Sequence, residues 1–165
     1  MELRRFWRHV LMSPMKAARC FPQATLDAIQ AAIATHEGRH RGEMRFVVEA
    51  ELTSAQLWAG LTSRERAKEL FAGLGVWNTE ENNGVLIYVL LADRRVEIVA
   101  DRGIDARAGA AEWRRICDRM DADFAAGRFR EGALGGVEAV SALLERHFPA
   151  EGKRRNELDD RPTMM

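Results

Sequence analysis

Cysteine is nearly absent from this chain of 165 residues, which has only Cys20 and Cys117. The two are far apart and form no CxxC pair, so the sequence offers neither a disulfide framework nor a cysteine metal cluster. Unpaired thiols in a reducing compartment are expected. Proline is also scarce. Pro14, Pro22, Pro149 and Pro162 all lie near the ends, so no proline-marked boundary divides residues 23 to 148. No charge surplus exists, because 25 Lys and Arg balance 25 Asp and Glu. A general nucleic-acid binder needs a clustered basic excess to neutralise phosphates, and RNA or DNA is therefore not an expected partner. No apolar run reaches the roughly 18 residues of a membrane span.

What is present suits one globular domain. The length falls within the single-domain range, and 47% hydrophobic residues can build a core. The reading divides the chain into a basic amphipathic extension (residues 1–20), a folded domain (21–149) and a polar tail (150–165). In the extension, Arg4, Arg5, Arg8, Lys16 and Arg19 surround Leu3, Phe6, Trp7, Val10, Leu11 and Met15. This pattern lacks the uninterrupted apolar stretch of a secretory signal and suits a surface helix that touches anionic lipid or a partner protein.

Periodicity sets the order of elements. Leu26, Ile29 and Ile33 recur at helical spacing between Pro22 and about His40, and EMRFVVEAEL from Glu43 to Leu52 reads as a strand. Thr62 to Leu74 is a helix with capping-box spacing at Thr62 and Glu65, closed by Gly75. Val85 to Leu91 is a nearly continuous apolar run suited to a strand covered on both faces. Ala92 to Arg95 make a charged turn, and Val96, Ile98 and Val99 continue as a third strand. Two further helices follow, from Ala110 to Ala126 and from Gly132 to Phe148, with Trp113, Ile116, Cys117, Met120 and Phe124 on the stripe of the first. Gly132, Gly135 and Gly136 are expected to permit close helix packing. Trp58, Trp77 and Trp113 are expected to pack, with Trp77 also a candidate lid. A strand, helix and strand in one sheet run parallel, and the third strand should return antiparallel. The expected fold is a three-layer α/β/α sandwich with a small mixed sheet and helices on both faces.

The residues Glu69-Leu70-Phe71, Gly75-Val76-Trp77, Asn83-Gly84-Val85-Leu86, Asp93-Arg94 and Gly103-Ile104 together resemble the pattern of the TPM domain family. The resemblance covers about residues 22 to 148. Gly42-Glu43 and the tail Asn156-Glu157-Leu158 resemble its short bacterial branch without a signal peptide. Two positions depart from the family's usual pattern: Asn82 stands where Asp is common, and Asp101-Arg102-Gly103 where Gly-x-Gly is common. The resemblance implies calcium binding in an acidic crevice, a phosphatase activity in one plant branch, and an envelope-associated protein partner for bacterial members. The absence of a signal sequence implies a cytoplasmic location, and the basic segment of residues 1–20 is compatible with loose attachment at the inner membrane face.

The expected topology brings the start of the first two strands and the end of the third to one edge of the sheet. That edge collects Glu43, Glu80, Glu81, Asn82, Asn83, Asp101 and Asp105. Hard oxygen donors from several loops are what Ca²⁺ or Mg²⁺ requires, and Glu43, Glu81, Asn82, Asn83, Asp101 and Asp105 are the candidate ligands. The expected function is a small binding or accessory module with a divalent cation. A metal-dependent phosphatase is the enzyme alternative, although no Cys-x5-Arg loop occurs and Asp121-Ala122-Asp123 lies inside an expected helix. His36-Glu37-Gly38-Arg39-His40 spells the zinc-protease motif HExxH. Gly38 disfavours the helix that the motif needs, and no third ligand follows in register.

Overall fold

The computed structural model describes residues 3–151 and 157–165. The basic cluster Lys153-Arg154-Arg155 and Asn156 lie outside the described residues. The chain runs α1 (Leu3–Val10), α2 (Pro14–Cys20), α3 (Gln23–Glu37), β1 (Glu43–Glu49), α4 (Ser54–Trp58), α5 (Ser63–Gly73), β2 (Gly84–Leu90), β3 (Arg95–Ala100), α6 (Arg102–Ala108), α7 (Ala110–Ala125), α8 (Phe129–His147) and β4 (Thr163–Met164).

Alternation along the strands makes two cores. Met44, Phe46 and Val48, Val85, Ile87 and Val89, and Val96 and Ile98 enter one core with Ile29, Ile33, Met120, Val137 and Leu144. Val47, Leu86, Tyr88, Leu90 and Val99 enter the other with Leu57, Ala67 and Leu70. The sheet is thus covered on both faces, as expected, and this is why β2 is an unbroken apolar run. Leu86, Ile87 and Leu90 are fully buried, each contributing about 1.5–3 kcal/mol. Strands β1 and β2 pair in parallel from Glu43↔Gly84, and β3 returns antiparallel with Val85↔Ala100.

The sheet has four strands, in the order β3-β2-β1-β4, instead of the three read from the sequence. Residues 163–164 pair in parallel with Val47 and Val48, and the Met165 amide donates to Val48 O. Two residues of Thr and Met carry no alternation, so pattern alone does not reveal them as a strand. The N-terminal segment divides into two helices because Ser13 caps α2, accepting the Lys16 amide, and Pro14 takes the first turn. Helix α4 has a capping box at Thr53 and Gln56, matching the one at Thr62 and Glu65 that starts α5.

Family-pattern glycines have steric reasons. A Cβ on Gly84 would fall on the Val76 carbonyl oxygen, and one on Gly103 would lie 2.5 Å from Asn82 O. A Cβ on Gly136 would meet the Met120 side chain, which accounts for the α7–α8 approach. Of the three tryptophans expected to pack, only Trp113 is buried; Trp58 and Trp77 are 71% and 54% exposed. Trp58 follows Leu57, which takes the inward place on the short α4. Val76 likewise takes the buried place beside Trp77, whose indole N–H donates to Ala72 O at 3.3 Å.

Candidate functional site

The edge formed by the starts of β1 and β2 and the end of β3 is assembled as expected. Asp101 N donates to Gly84 O at 2.8 Å, and Glu43 pairs with Gly84. Three of the six candidate ligands are buried here: Glu43, Asn83 and Asp101. Asn83 donates through Nδ2 to Arg41 O at 2.9 Å, which leaves Oδ1 buried with no hydrogen-bond partner among the described residues. Asp101 is the N-cap of α6. Its Oδ1 accepts the Arg102 amide at 2.7 Å, and its Oδ2 is likewise buried and unpartnered among the described residues. Around them, Gly103 N donates to Asn82 O at 2.9 Å, and the absent Cβ of Gly103 gives room to the Glu81 and Asn82 carbonyls.

The other three candidates are placed differently. Glu81 is half-exposed and ion-paired with Arg41 at 3.3 Å. Asn82 is exposed, and its φ of 53° is a left-handed conformation that Asn tolerates better than most residues. Asp105 is exposed and lines a separate groove with Trp113, Arg114 and β3. Glu43 receives the tail: Glu157 N donates to its Oε1 at 3.2 Å and Leu158 N to its Oε2 at 3.1 Å. Glu157 Oε2 in turn accepts the Glu80 amide at 3.3 Å. Among the described residues, no group of three His, Cys, Asp or Glu side chains stands ready to hold a metal ion.

The zinc-protease spelling does not form its site. Helix α3 ends at Glu37, so His36 lies in its last turn while His40 lies beyond it. His40 bridges to Pro149 and its Nδ1 is 3.0 Å from Gly42 O. Because the helix ends before His40, the motif's spacing does not bring both imidazoles to one helix face. Asp121 and Asp123 serve structural ends: Asp121 accepts the Val96 amide at 2.9 Å, and Asp123 pairs with Arg128.

Two polar clusters escape sequence reasoning because their members are remote in the chain. In the first, Glu49 accepts from Arg66 Nη2 at 2.9 Å and from the Tyr88 hydroxyl at 2.5 Å, inside the second core. Burial, together with the Glu49 carboxylate, holds the Tyr88 phenol far above its ordinary range. The second is centred on Asp93 at the β2–β3 turn. Arg5 Nε donates to it at 2.9 Å, and His9 Nε2 lies 3.1 Å away. Because His9 Nδ1 accepts the Leu52 amide at 2.9 Å, the ring proton belongs on Nε2 and points at Asp93. Burial alone would raise the Asp93 carboxyl, but hydrogen bonds from His9 and Arg5 outweigh it and bring the pKa down to about 2. The only sequence signals for these clusters were charged residues in otherwise apolar strands and the Asp-Arg turn.

Among solved structures, BA42 protein from the psychrophilic bacterium Bizionia argentinensis superposes with a TM-score of 0.72 at 28% identity, covering 86% of this chain and 93% of that one. The N-terminal domain of a P. gingivalis protein superposes with a TM-score of 0.64 at 22% identity, covering 82% and 90%, a likeness of fold. A comparison with curated proteins finds no match. The TPM domain profile matches residues 15–143, from within α2 to within α8, and the chain belongs to the TPM domain family.

Proposed function

We propose that this chain is a binding module whose acidic edge holds a divalent cation, Ca²⁺ or Mg²⁺, and presents it to an envelope-associated protein partner. One observation carries the reading: Asn83 Oδ1 and Asp101 Oδ2 are buried oxygens on neighbouring strand ends, both without a hydrogen-bond partner among the described residues. A buried, unpaired carboxylate oxygen costs free energy that a cation would offset. One carboxylate, one amide oxygen and nearby backbone carbonyls are hard donors, and waters would complete the shell. A single negative ligand sets a weak site, with Kd of about 0.1–1 mM, as in low-affinity calcium modules.

The exposed Arg102 beside Asp101 keeps a phosphatase alternative chemically coherent, because a phosphate oxygen could sit on the ion with the guanidinium nearby. The module reading and the enzyme reading separate in one experiment. Calorimetric titration of Ca²⁺ and Mg²⁺ into the full chain is expected to show binding that Asp101→Asn removes and that Asp105→Asn, whose exposed side chain lines a separate groove, retains. Hydrolysis of a phosphate monoester that is lost with the same Asp101 change would favour the enzyme. Absence of any binding, or equal loss in both variants, would overturn the proposal.

A further inference from the structure

The opposite end of the sheet carries a different chemistry. Residues 3–20 contain Arg4, Arg5, Arg8, Lys16 and Arg19 and no Asp or Glu, although the whole chain is neutral. The structure sorts their side chains. Arg5 and His9 turn inward to Asp93, Phe6 packs on the second core, and Ala17 is buried in the first. Facing outward are Leu3, Trp7, Val10, Leu11 and Met15, with exposures of 66%, 52%, 51%, 62% and 68%. Such a concentration on a segment anchored by a half-buried ion pair is not fraying; it is an ordered apolar surface set among cations.

We infer that the α1–α2 segment docks this protein on an anionic lipid bilayer. The outward apolar side chains, Trp7 among them, suit the headgroup–acyl boundary, and the exposed Arg4, Lys16 and Arg19 suit lipid phosphates, which attract about 1 kcal/mol per basic residue near the surface, while Arg8 is half exposed and paired with Asp93. A cavity of about 410 Å³ beside α2 strengthens a lipid over a protein as the occupant. It is lined by Met12, Leu91, Phe124 and Phe129 together with the cations Lys16 and Arg19, so apolar walls and anion-binding groups occur in one place. The geometry is also coherent with the acidic edge. Asp93 lies in the turn that follows strand β2, which is about 20 Å long from Gly84 to Leu90, so docking through α1 and α2 turns the acidic edge away from an anionic surface. The inference stands independently of whether that edge binds a cation.

The test is co-sedimentation of the full chain with phosphatidylcholine vesicles and with mixed phosphatidylcholine and phosphatidylglycerol vesicles. Binding is expected only to the anionic vesicles, falling as salt is added. The double variants Trp7→Ser with Leu11→Ser, and Lys16→Glu with Arg19→Glu, are each expected to weaken it by more than about tenfold. Their melting temperatures should stay near the wild-type value because these side chains are exposed, which separates lost docking from lost folding. No partition onto anionic vesicles, equal binding to neutral ones, or undiminished binding by both variants would overturn the inference. So would concentration-dependent self-association abolished by the Trp7 and Leu11 changes, which would assign the surface to a second copy of the chain.

Discussion

Asp93→Asn is the change whose consequences the structure specifies most fully. Asn is nearly the same shape, so the turn geometry is retained while the charge is removed from a carboxylate contacted by Arg5 at 2.8 Å and His9 at 3.1 Å. In the folded chain this carboxyl titrates at about 2 instead of an ordinary 3.8, because the bonds from His9 and Arg5 outweigh the opposing effect of burial. Linkage turns that displacement into at most ~2.5 kcal/mol of stability. Solvent reaches the cluster through Arg8, which is half exposed, and screening reduces the figure to about 1–2 kcal/mol. For a chain of this length that is a melting-temperature loss of about 2–8 °C near neutral pH. A folded pKa below the unfolded one gives stability that is present above the unfolded value and is lost as pH falls through the folded value. The gap between wild type and Asp93→Asn should therefore be full at pH 5 to 7, shrink below about pH 4 and nearly close by pH 2. Thermal melts followed by far-UV circular dichroism across that range are the assay. A gap under about 1 °C at pH 7, or one that stays constant down to pH 2, would show that the Asp93 charge does not stabilise the fold.

Other expected outcomes follow from the same packing. Arg66→Met leaves Glu49 and Tyr88 buried without their cation and is expected to cost about 3–5 kcal/mol in urea denaturation, while Lys68→Met, at an exposed position of α5, costs under about 1 kcal/mol. Gly84→Ala sets a Cβ on the rigid Val76 carbonyl and should destabilise by more than about 3 kcal/mol. Gly136→Ala meets only the flexible Met120 thioether and should cost about 1–3 kcal/mol in the same assay. Removing residues 157–165 takes two backbone donors from the buried Glu43 and should lower stability by at least about 2 kcal/mol, measured by calorimetric melting. Burial, with the Glu97 carboxylate adding to it, pushes the Cys117 thiol up to about 12, so a thiol reagent at pH 8 should label Cys20 first and Cys117 readily only after unfolding.

Legibility in the sequence followed the range of the interactions involved. Thr62 and Glu65 announce α5 because both partners of the capping box lie within one turn, and Val85 to Leu91 announce a central strand because burial on both faces removes every polar position. The acidic edge was readable from topology: parallel β1 and β2 set Glu43 beside Asn83, and the antiparallel return of β3 brings Asp101 to the same end. Which oxygens there are used up was not readable. That Glu43 holds the tail depends on backbone amides 114 and 115 residues away, and no local pattern encodes such a contact. Strand β4 was invisible for the same reason, having two residues and a partner more than a hundred positions earlier. Asp93 appeared only as a turn residue, because its meaning comes from Arg5 and His9, which reach it from the other end of the chain. Trp58 and Trp77 show the limit of composition: large apolar residues are usually covered, yet a neighbouring Leu57 or Val76 already fills the inward place.

Amide NMR during a Ca²⁺ titration is the decisive test of the cation site proposed at Asn83 and Asp101. Saturable shifts are expected, confined to residues 81–84 and 101–104, spreading to 157–158 through Glu43 and absent in Asp101→Asn. Unchanged amides at millimolar Ca²⁺, or small unsaturating shifts scattered over exposed carboxylates such as Asp105 and Glu112, would contradict it.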